Sequence, residues 1–253
     1  MNNNQDFGFS SDEFTGSKGS IPYTQFLNAS ASVFGLAITK PNADLADFKP
    51  NSDYKVIDHQ FDDGTPETLY LTTNPRIIII NRSEPLMTKE AVTVSYNKET
   101  YEEGDWKAFS YAVVWLVDEN NQPLSEAPFR LKCSGFAGIT FLKNYSYYNN
   151  PDSFTKKFLS VYKQLTGDRT INKNDVFYAH AVYQIELVRE KATSSFNGQS
   201  SWAVQTKSFL EPTKENFGKL IVRNGTPFSE KIKAAIEETQ AWLKTSVIQV
   251  ELM

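Results

Sequence analysis

The sequence predicts a mainly β, α+β protein with a barrel-like sheet and a C-terminal helix. Short runs rich in β-branched and aromatic residues recur between about residues 33 and 210, and several of them alternate with polar residues. Apolar residues recur at helical spacing in two segments, 153–166 and about 227–247. We therefore expect a flexible tail over residues 1–20 and one globular domain over residues 21–253, with a core barrel over about 76–210.

The first 20 residues are polar, rich in Gly and Ser, and without periodicity. This composition is typical of a segment that does not pack a core of its own. Acids and rings are interleaved in it: Asp6, Phe7, Phe9, Asp12, Glu13 and Phe14. Such an acidic-aromatic tail could recruit a protein partner or occupy a basic aromatic groove of its own protein. Alternatively, it is an arm whose rings cover one edge of the core.

The first half of the chain predicts six strands, at residues 33–38, 68–72, 76–81, 91–96, 107–117 and 128–133. The four isoleucines at 77–80 are typical of a strand that is buried on both faces. The turn-forming residues at 118–123 predict a hairpin between the last two strands. We extend the second strand of this hairpin loosely to Phe141.

A helix is predicted over 153–166, after the capping residues of Asn150-Pro151-Asp152-Ser153 and up to Gly167. Strands follow at 176–188 and 201–210, and the C-terminal helix begins near Pro227. Between residues 76 and 210 the order is thus three strands, one helix and two strands, which is the chain order of an OB-fold barrel. The alternative is another mainly β or α+β single domain, because many such domains place a helix between strands.

The composition favours binding over catalysis. The chain has 18 Phe, 12 Tyr and 4 Trp, against two His and one Cys. Side chains used for acid–base, nucleophilic and transition-metal chemistry at neutral pH are therefore scarce. The sequence contains no GxxxxGK[ST], GxGxxG, GxSxG or HExxH motif. We expect no cofactor and no catalytic residue.

The location expected from the sequence is the cytoplasm. Cys133 is the only cysteine, so no internal disulfide can form. The first residues, MNNNQD, lack the basic start and apolar run of a signal peptide. No apolar stretch approaches the roughly 20 residues of a membrane helix, so no membrane association is expected.

The clearest candidate binding site lies in the basic part of an acidic chain. Residues 1–126 carry a balance of −10, residues 127–182 of +5 and residues 183–253 of +1. Single-stranded nucleic acid needs rings for base stacking and cations for phosphates. The basic segment supplies both, and the predicted contacts are Tyr145, Tyr147 and Tyr148 for bases, and Lys143, Lys156 and Lys157 for phosphates. If residues 141–148 are extended, Tyr145 and Tyr147 share a face. The alternative is that these rings only pack on the core.

Two further groups are weaker candidates. Alternation places Phe109, Tyr111, Val113 and Trp115 on one strand face, which Lys107 shares. This face is a stacking platform if exposed but is more typical of core. Asp58, His59, Asp62 and Asp63 could hold a divalent cation, as in a metal-dependent nuclease, but they do not form an EF-hand loop. A polar loop explains them equally well, so no metal site is predicted. His180 is expected to be a structural histidine.

Several short motifs resemble, in their order, an uncharacterised family of proteins encoded in cyanobacterial genomes. They lie between residues 13 and about 141: Glu13-Phe14, Ile21-Pro22-Tyr23, Leu27-Asn28, Gly35-Leu36-Ala37-Ile38, Phe61, Gly64, Glu67, Leu69-Tyr70-Leu71, Pro75-Arg76-Ile77 and Pro123-Leu124. This resemblance implies no activity and no site. The residues themselves predict a non-catalytic binding module, first for single-stranded nucleic acid, with a structural or protein-interaction domain as the alternative.

Overall fold

The computed structural model describes residues 21–61, 64, 66–90, 92–102, 104–146, 150–168, 173–193, 198 and 200–251. In this part of the chain, 11 strands form one mixed sheet and the fold is mainly β. The strands are β1 Tyr23–Asn28, β2 Phe34–Thr39, β3 Lys55–Gln60, β4 Pro66–Thr72, β5 Arg76–Arg82, β6 Leu86–Lys89, β7 Val92–Ser95, β8 Lys107–Leu116, β9 Phe129–Ser134, β10 Val182–Thr193 and β11 Ser200–Phe209. The helices are α1 Lys40–Leu45, α2 Lys98–Glu102, α3 Gly135–Ser146, α4 Phe154–Thr166, α5 Asp175–Tyr178 and α6 Pro227–Glu251, with a 3-10 turn at Phe217–Lys219.

The sheet runs in the order β11-β10-β5-β8-β9-β1-β2-β4-β3, and β6 joins it by pairing with both β7 and β8. The β1–β9 pair is parallel, whereas the other described pairs are antiparallel. The sheet is not closed into a barrel, so the barrel-like prediction is wrong in that respect. The OB-like arrangement is not confirmed, because six more strands share the sheet with the five of the predicted order.

The central strand β5 is buried on both faces, as the isoleucine run predicts. Ile77 and Ile79 belong to one apolar cluster, on what we call the inner face of the sheet, which α3 and α4 cover. Ile78 and Ile80 belong to a second cluster on the outer face, which α6 covers with residues such as Ile232. The two layers of helices therefore enclose the middle of the sheet.

Both predicted helices are confirmed. The helix α4 ends at Gly167, whose φ of 69° is left-handed and whose N–H bonds to the Lys163 carbonyl at 2.9 Å. The helix α6 begins at Pro227, where the missing N–H of proline costs no hydrogen bond. Among the helices of the described ranges, none has the length and apolar character needed to cross a bilayer.

The segment after β9 differs from the prediction. Residues 136–141 are helical rather than a strand, and residues 141–146 continue the helix α3 rather than an extended stretch. The physical reason is that Gly138, Phe141 and Tyr145 share one side of a helix and are all buried. A Cβ at position 138 would lie 2.3 Å from the carbonyl carbon of Cys133, so only glycine lets α3 approach β9 so closely.

A buried arginine ties the hairpin turn to the C-terminal part of the chain. The Arg76 side chain is 9% exposed, and burial lowers its pKa without removing its charge at neutral pH. Its donors reach four oxygens: the carbonyls of Asp118 at 2.9 Å and Lys219 at 2.7 Å, the Asn121 Oδ1 at 2.6 Å, and the Gln184 Oε1.

Candidate functional site

The six residues predicted to bind nucleic acid do not form one exposed patch. Tyr147 and Tyr148 lie outside the described residues. Tyr145 is only 3% exposed, and its ring packs against Phe154 at 6.0 Å and Tyr183 at 5.2 Å between centroids. Burial raises the pKa of the Tyr145 phenol, which stays protonated. Protein rings therefore cover much of the surface that a base would stack on.

The three predicted lysines differ in their surroundings. Lys143 on α3 and Lys156 on α4 are exposed. Lys157 is half-buried; its ammonium lies 2.9 Å from a Glu211 carboxylate oxygen and 3.8 Å from one of Asp152. The charge of Lys157 is therefore already matched within the protein.

Tyr145 instead forms part of the wall of a polar cavity of about 460 Å³. The guanidinium of Arg82, at the end of β5, lies 5.6 Å from the centroid of the Tyr145 ring. The other polar groups that surround this space come from the β5–β6 connection, β8, α3, α4 and α5: Ser83, Glu84, Ser110, Ser146, Thr155, Asp175 and Tyr178. Elements far apart in sequence thus converge on one space.

The polar cavity offers groups of both charges. Arg82 is exposed and makes no ion pair with any of the described residues. Glu84 and Asp175 supply carboxylates, and the hydroxyl groups can both donate and accept. Such a lining matches a polar group that carries hydrogen-bond donors and acceptors together.

A second, apolar cavity of about 810 Å³ lies beside the first. Its walls include the rings of Tyr96, Tyr101, Trp106 and Phe109, together with Ile139. Tyr96 is 40% and Ile139 is 61% exposed, so part of this apolar wall faces solvent. This cavity can therefore cover a flat or chain-like apolar group.

The two cavities are adjacent, because Pro85, Ser110 and Leu142 line both of them. We call the two cavities together the binding crevice. Its floor is the open end of the β8–β9 hairpin, opposite the turn, and α3 forms one wall. The crevice therefore has a polar half next to Arg82 and an aromatic half next to Trp106.

Cys133 lines the apolar half, but its chemistry is that of a packing residue. The side chain is 4% exposed, and burial raises the pKa of the thiol to about 12. A thiol that stays protonated at neutral pH is a poor nucleophile. Cys133 therefore shapes the crevice without supplying a reactive group.

A comparison with protein families matches residues 18–251 to a domain of unknown function, DUF5895. The chain belongs to this family. No curated protein and no solved structure matches the chain.

The DUF5895 domain carries a second notable surface on the outer face of the sheet. Arg130 of β9 lies between two rings, 5.5 Å from the centroid of Tyr23 on β1 and 5.3 Å from that of Tyr111 on β8. The ammonium of Lys132 lies 4.3 Å from the centroid of Phe109. We call these five residues the cation–ring ladder. Rings and cations thus alternate across three neighbouring strands.

The alternation predicted for β8 is present, and most of it is core. Phe109, Val113 and Trp115 are buried, and Val113 and Trp115 belong to the outer apolar cluster under α6. Tyr111 is half-buried. The core interpretation of this strand face is therefore confirmed for its second half, whereas its first half belongs to the ladder.

His180 of the DUF5895 domain is buried and hydrogen-bonded on both ring nitrogens, as expected for a structural histidine. Its Nδ1 lies 2.7 Å from the Val176 carbonyl oxygen and its Nε2 3.0 Å from the Ser229 hydroxyl. Ser229 is itself fully buried, so this pair has no path to a substrate.

The acidic segment near residue 60 offers little support for a metal ion. Asp58 and His59 are successive residues of β3 and point to opposite faces of the strand. Asp58 accepts a hydrogen bond from the Thr68 hydroxyl at 2.9 Å. Asp62 and Asp63 lie outside the described residues. Within the described ranges, no three His, Cys, Asp or Glu side chains come together as metal ligands would.

Sequence reasoning missed Arg82, Tyr96 and Trp106. The one available signal was the position of Arg82, a charge two residues after Ile80 and therefore at the end of a buried strand. Nothing in the sequence links that strand end to the ring-rich stretch around Trp106.

Proposed function

We propose that the DUF5895 domain is a binding module for a small amphipathic molecule. The observation that carries this proposal is the binding crevice, in which a polar cavity and an apolar cavity share Pro85, Ser110 and Leu142. The ligand places a flat or chain-like apolar part among the rings. Its polar part, which includes an anionic group, lies beside Arg82.

The size and lining of the crevice support a small-molecule ligand. Ligand sites typically have volumes of about 300–1,000 Å³, are mostly apolar, and carry a few convergent polar groups. The apolar cavity of about 810 Å³ falls in this range. Rings such as Tyr96 and Trp106 supply large contact areas with little conformational entropy to lose.

The chemistry of the crevice favours binding over turnover. The described lining residues include no histidine, and the Cys133 thiol is protonated at neutral pH. The carboxylates of Glu84 and Asp175 are exposed to solvent. The crevice therefore combines rings, hydroxyl groups and exposed charges, a lining suited to holding a ligand.

A fluorescence titration with 1-anilinonaphthalene-8-sulfonate tests this proposal, because that probe joins flat rings to one anion. Ile139→Glu places a charge in the apolar half, and Arg82→Gln removes the cation of the polar half. Each variant is expected to weaken binding at least tenfold, a loss of about 1.4 kcal/mol. Val56→Glu is the matched control, since Val56 is a 62% exposed valine on β3 and away from the crevice. Equal affinity of the Ile139→Glu and Val56→Glu proteins would refute the proposal.

Single-stranded nucleic acid is a second candidate ligand, favoured by the cation–ring ladder. Rings beside cations on a sheet face can stack bases and contact phosphates. The expected result is oligothymidylate binding that weakens steeply as salt is raised, and that Lys132→Gln reduces. Combining Lys143→Gln with Lys156→Gln tests the sequence-predicted set, in which Tyr147, Tyr148 and Lys157 would also take part. No binding at low salt would remove this candidate.

A further inference from the structure

We propose that the acidic-aromatic segment of this chain, residues 6–14, binds the cation–ring ladder of its own domain. The ladder consists of Tyr23, Phe109, Tyr111, Arg130 and Lys132. The segment lies outside the described residues. The proposal therefore rests on the ladder, on the sequence of the segment, and on the position of residues 21–23, which connect the segment to the domain. It is independent of the ligand proposed for the binding crevice.

The two parties are complementary in charge and in chemistry. The ladder presents two cations, Arg130 and Lys132, between aromatic rings. Residues 1–14 contain no Lys or Arg and carry three acids and three rings: Asp6, Phe7, Phe9, Asp12, Glu13 and Phe14. Carboxylates beside guanidinium and ammonium groups gain charge-assisted hydrogen bonds, and phenyl rings can add to a ladder of rings and cations.

The chain enters the fold at the ladder itself. The Pro22 carbonyl accepts a hydrogen bond from the Arg130 N–H at 2.7 Å, and Tyr23, the next residue, belongs to the ladder. Ile21 packs against the outer apolar cluster. That cluster includes Val113 and Trp115, which lie two and four residues after Tyr111 on β8 and so share its face. The segment therefore joins the domain on the same face as the ladder.

The distances are short enough for the segment to reach every part of the ladder. Phe14 precedes Ile21 by seven residues, which span up to about 24 Å when extended. The ladder covers three neighbouring strands, β1, β9 and β8, which are about 10 Å across. A covalent linkage of this length gives an effective concentration in the millimolar range, so weak individual contacts suffice.

Binding of this segment would make it a built-in competitor for anionic ligands of the outer face. Its three carboxylates occupy the positions that phosphates or acidic peptides would need beside Arg130 and Lys132. The exposed lysines on α3 and α4, Lys143 and Lys156, would not be affected, because those helices cover the inner face.

Paramagnetic relaxation enhancement in the full chain tests the proposal. A spin label is attached at Ser10→Cys; the native Cys133 is buried and protonated, so it does not compete for the label. Tethering alone broadens the amides of residues 21–23 and, in part, those of the neighbouring strands β9 and β8, so the decisive comparison is between the native segment and its variants. The expected result is that the Tyr111 and Lys132 amides lose most of their intensity with the native segment, while the Val56 amide on β3 keeps its own.

Variants of the segment decide whether the contact is specific. Phe7→Ser with Phe9→Ser removes two rings, and Asp12→Asn with Glu13→Gln removes two charges; each pair is expected to restore most of the Lys132 intensity. Asn2→Ser with Asn3→Ser is the matched control and should restore none. Undiminished Tyr111 and Lys132 signals in the labelled protein would overturn the proposal, as would broadening that both pairs leave unchanged. A further sample mixes spin-labelled protein at natural isotope abundance with ¹⁵N-enriched protein that carries no spin label. Broadening of the Tyr111 and Lys132 amides in this mixture would overturn binding within one chain, since it would assign the contact to a second copy.

Discussion

Replacing the buried arginine of β5 is expected to destabilise the DUF5895 domain strongly. Arg76→Met keeps an unbranched apolar chain of similar length and removes every donor of the guanidinium. Four oxygens then lose the arginine donor, those of Asp118, Asn121, Gln184 and Lys219. The Asp118 carbonyl still accepts the Asn121 N–H at 3.1 Å. The backbone carbonyls of Asp118 and Lys219 can turn to water at the surface of the turn. The side-chain oxygens of Asn121 and Gln184 have less access to it.

The size of the effect follows from these two side-chain acceptors. A buried acceptor left without a donor costs about 1–3 kcal/mol, so the pair gives about 2–6 kcal/mol, with about 4 kcal/mol as the central value. The arginine had paid a desolvation cost that methionine does not, which keeps the loss below the sum of four charge-assisted bonds. For a chain of this size, 1 kcal/mol corresponds to about 2–4 °C in Tm, so a decrease of about 8–16 °C is expected.

Urea denaturation followed by circular dichroism measures this loss, with thermal denaturation as a second readout. Arg223→Met is the matched control, because Arg223 is exposed on the neighbouring segment; its free energy of unfolding should change by less than about 0.5 kcal/mol. Arg76→Lys should recover only part of the loss, since one ammonium cannot reproduce the fork of the guanidinium. If Arg76→Met and Arg223→Met have the same stability, the reasoning about Arg76 is wrong.

Three further results are expected. Gly138→Ala should cost about 1–3 kcal/mol in urea denaturation, because the new Cβ would lie 2.3 Å from the Cys133 carbonyl carbon, whereas Gly218→Ala, with nothing within 4 Å, should cost little. Burial raises the pKa of Cys133 from 9.0 to about 12, so the unfolded chain loses this proton first and the free energy of unfolding should fall by about 1 kcal/mol between pH 9 and pH 10. Cys133→Ala should flatten that slope, and an unchanged slope would contradict the assignment. Asn81→Ala should cost about 1–2 kcal/mol in thermal denaturation, since the Asn81 amide donates to the Ile236 carbonyl of α6 at 2.8 Å; no loss would mean that α6 does not depend on this bond.

Local patterns predicted the elements whose burial is regular. The run Ile77–Ile80 is β-branched and apolar throughout, which specifies a strand covered on both faces wherever it lies. The helix α4 combines apolar residues at helical spacing with a glycine that can adopt a left-handed φ, so both its face and its end are encoded locally. These features need no knowledge of the rest of the chain.

The segment after β9 shows what local patterns leave out. Residues 135–146 contain β-branched and aromatic side chains that favour a strand, but Gly138 permits a close helix–strand contact that fixes the helix instead. Strands such as β1 and β3 carry mixed polar and apolar residues, and their pairing partners stabilise them more than their own propensity does.

The binding crevice could not be predicted because its walls are distant in sequence. Arg82, Trp106 and Ile139 come from β5, the residue before β8 and α3, and only the sheet order brings them together. Tyr145 was singled out for its neighbours in sequence, yet its ring packs inward because it shares a helix face with Phe141. A sequence rich in aromatic residues predicts that rings pack against other groups, but it does not show whether those groups belong to a ligand or to the core.

Chemical-shift mapping with 1-anilinonaphthalene-8-sulfonate tests the central claim most directly, namely that both cavities hold one ligand. The probe is added to ¹⁵N-labelled protein and every amide is followed along the titration. We predict that the amides of Arg82, Ser110 and Ile139 shift together with one dissociation constant, and that Val56 does not shift. Shifts confined to Ile139, or shifts only outside the crevice, would contradict the account.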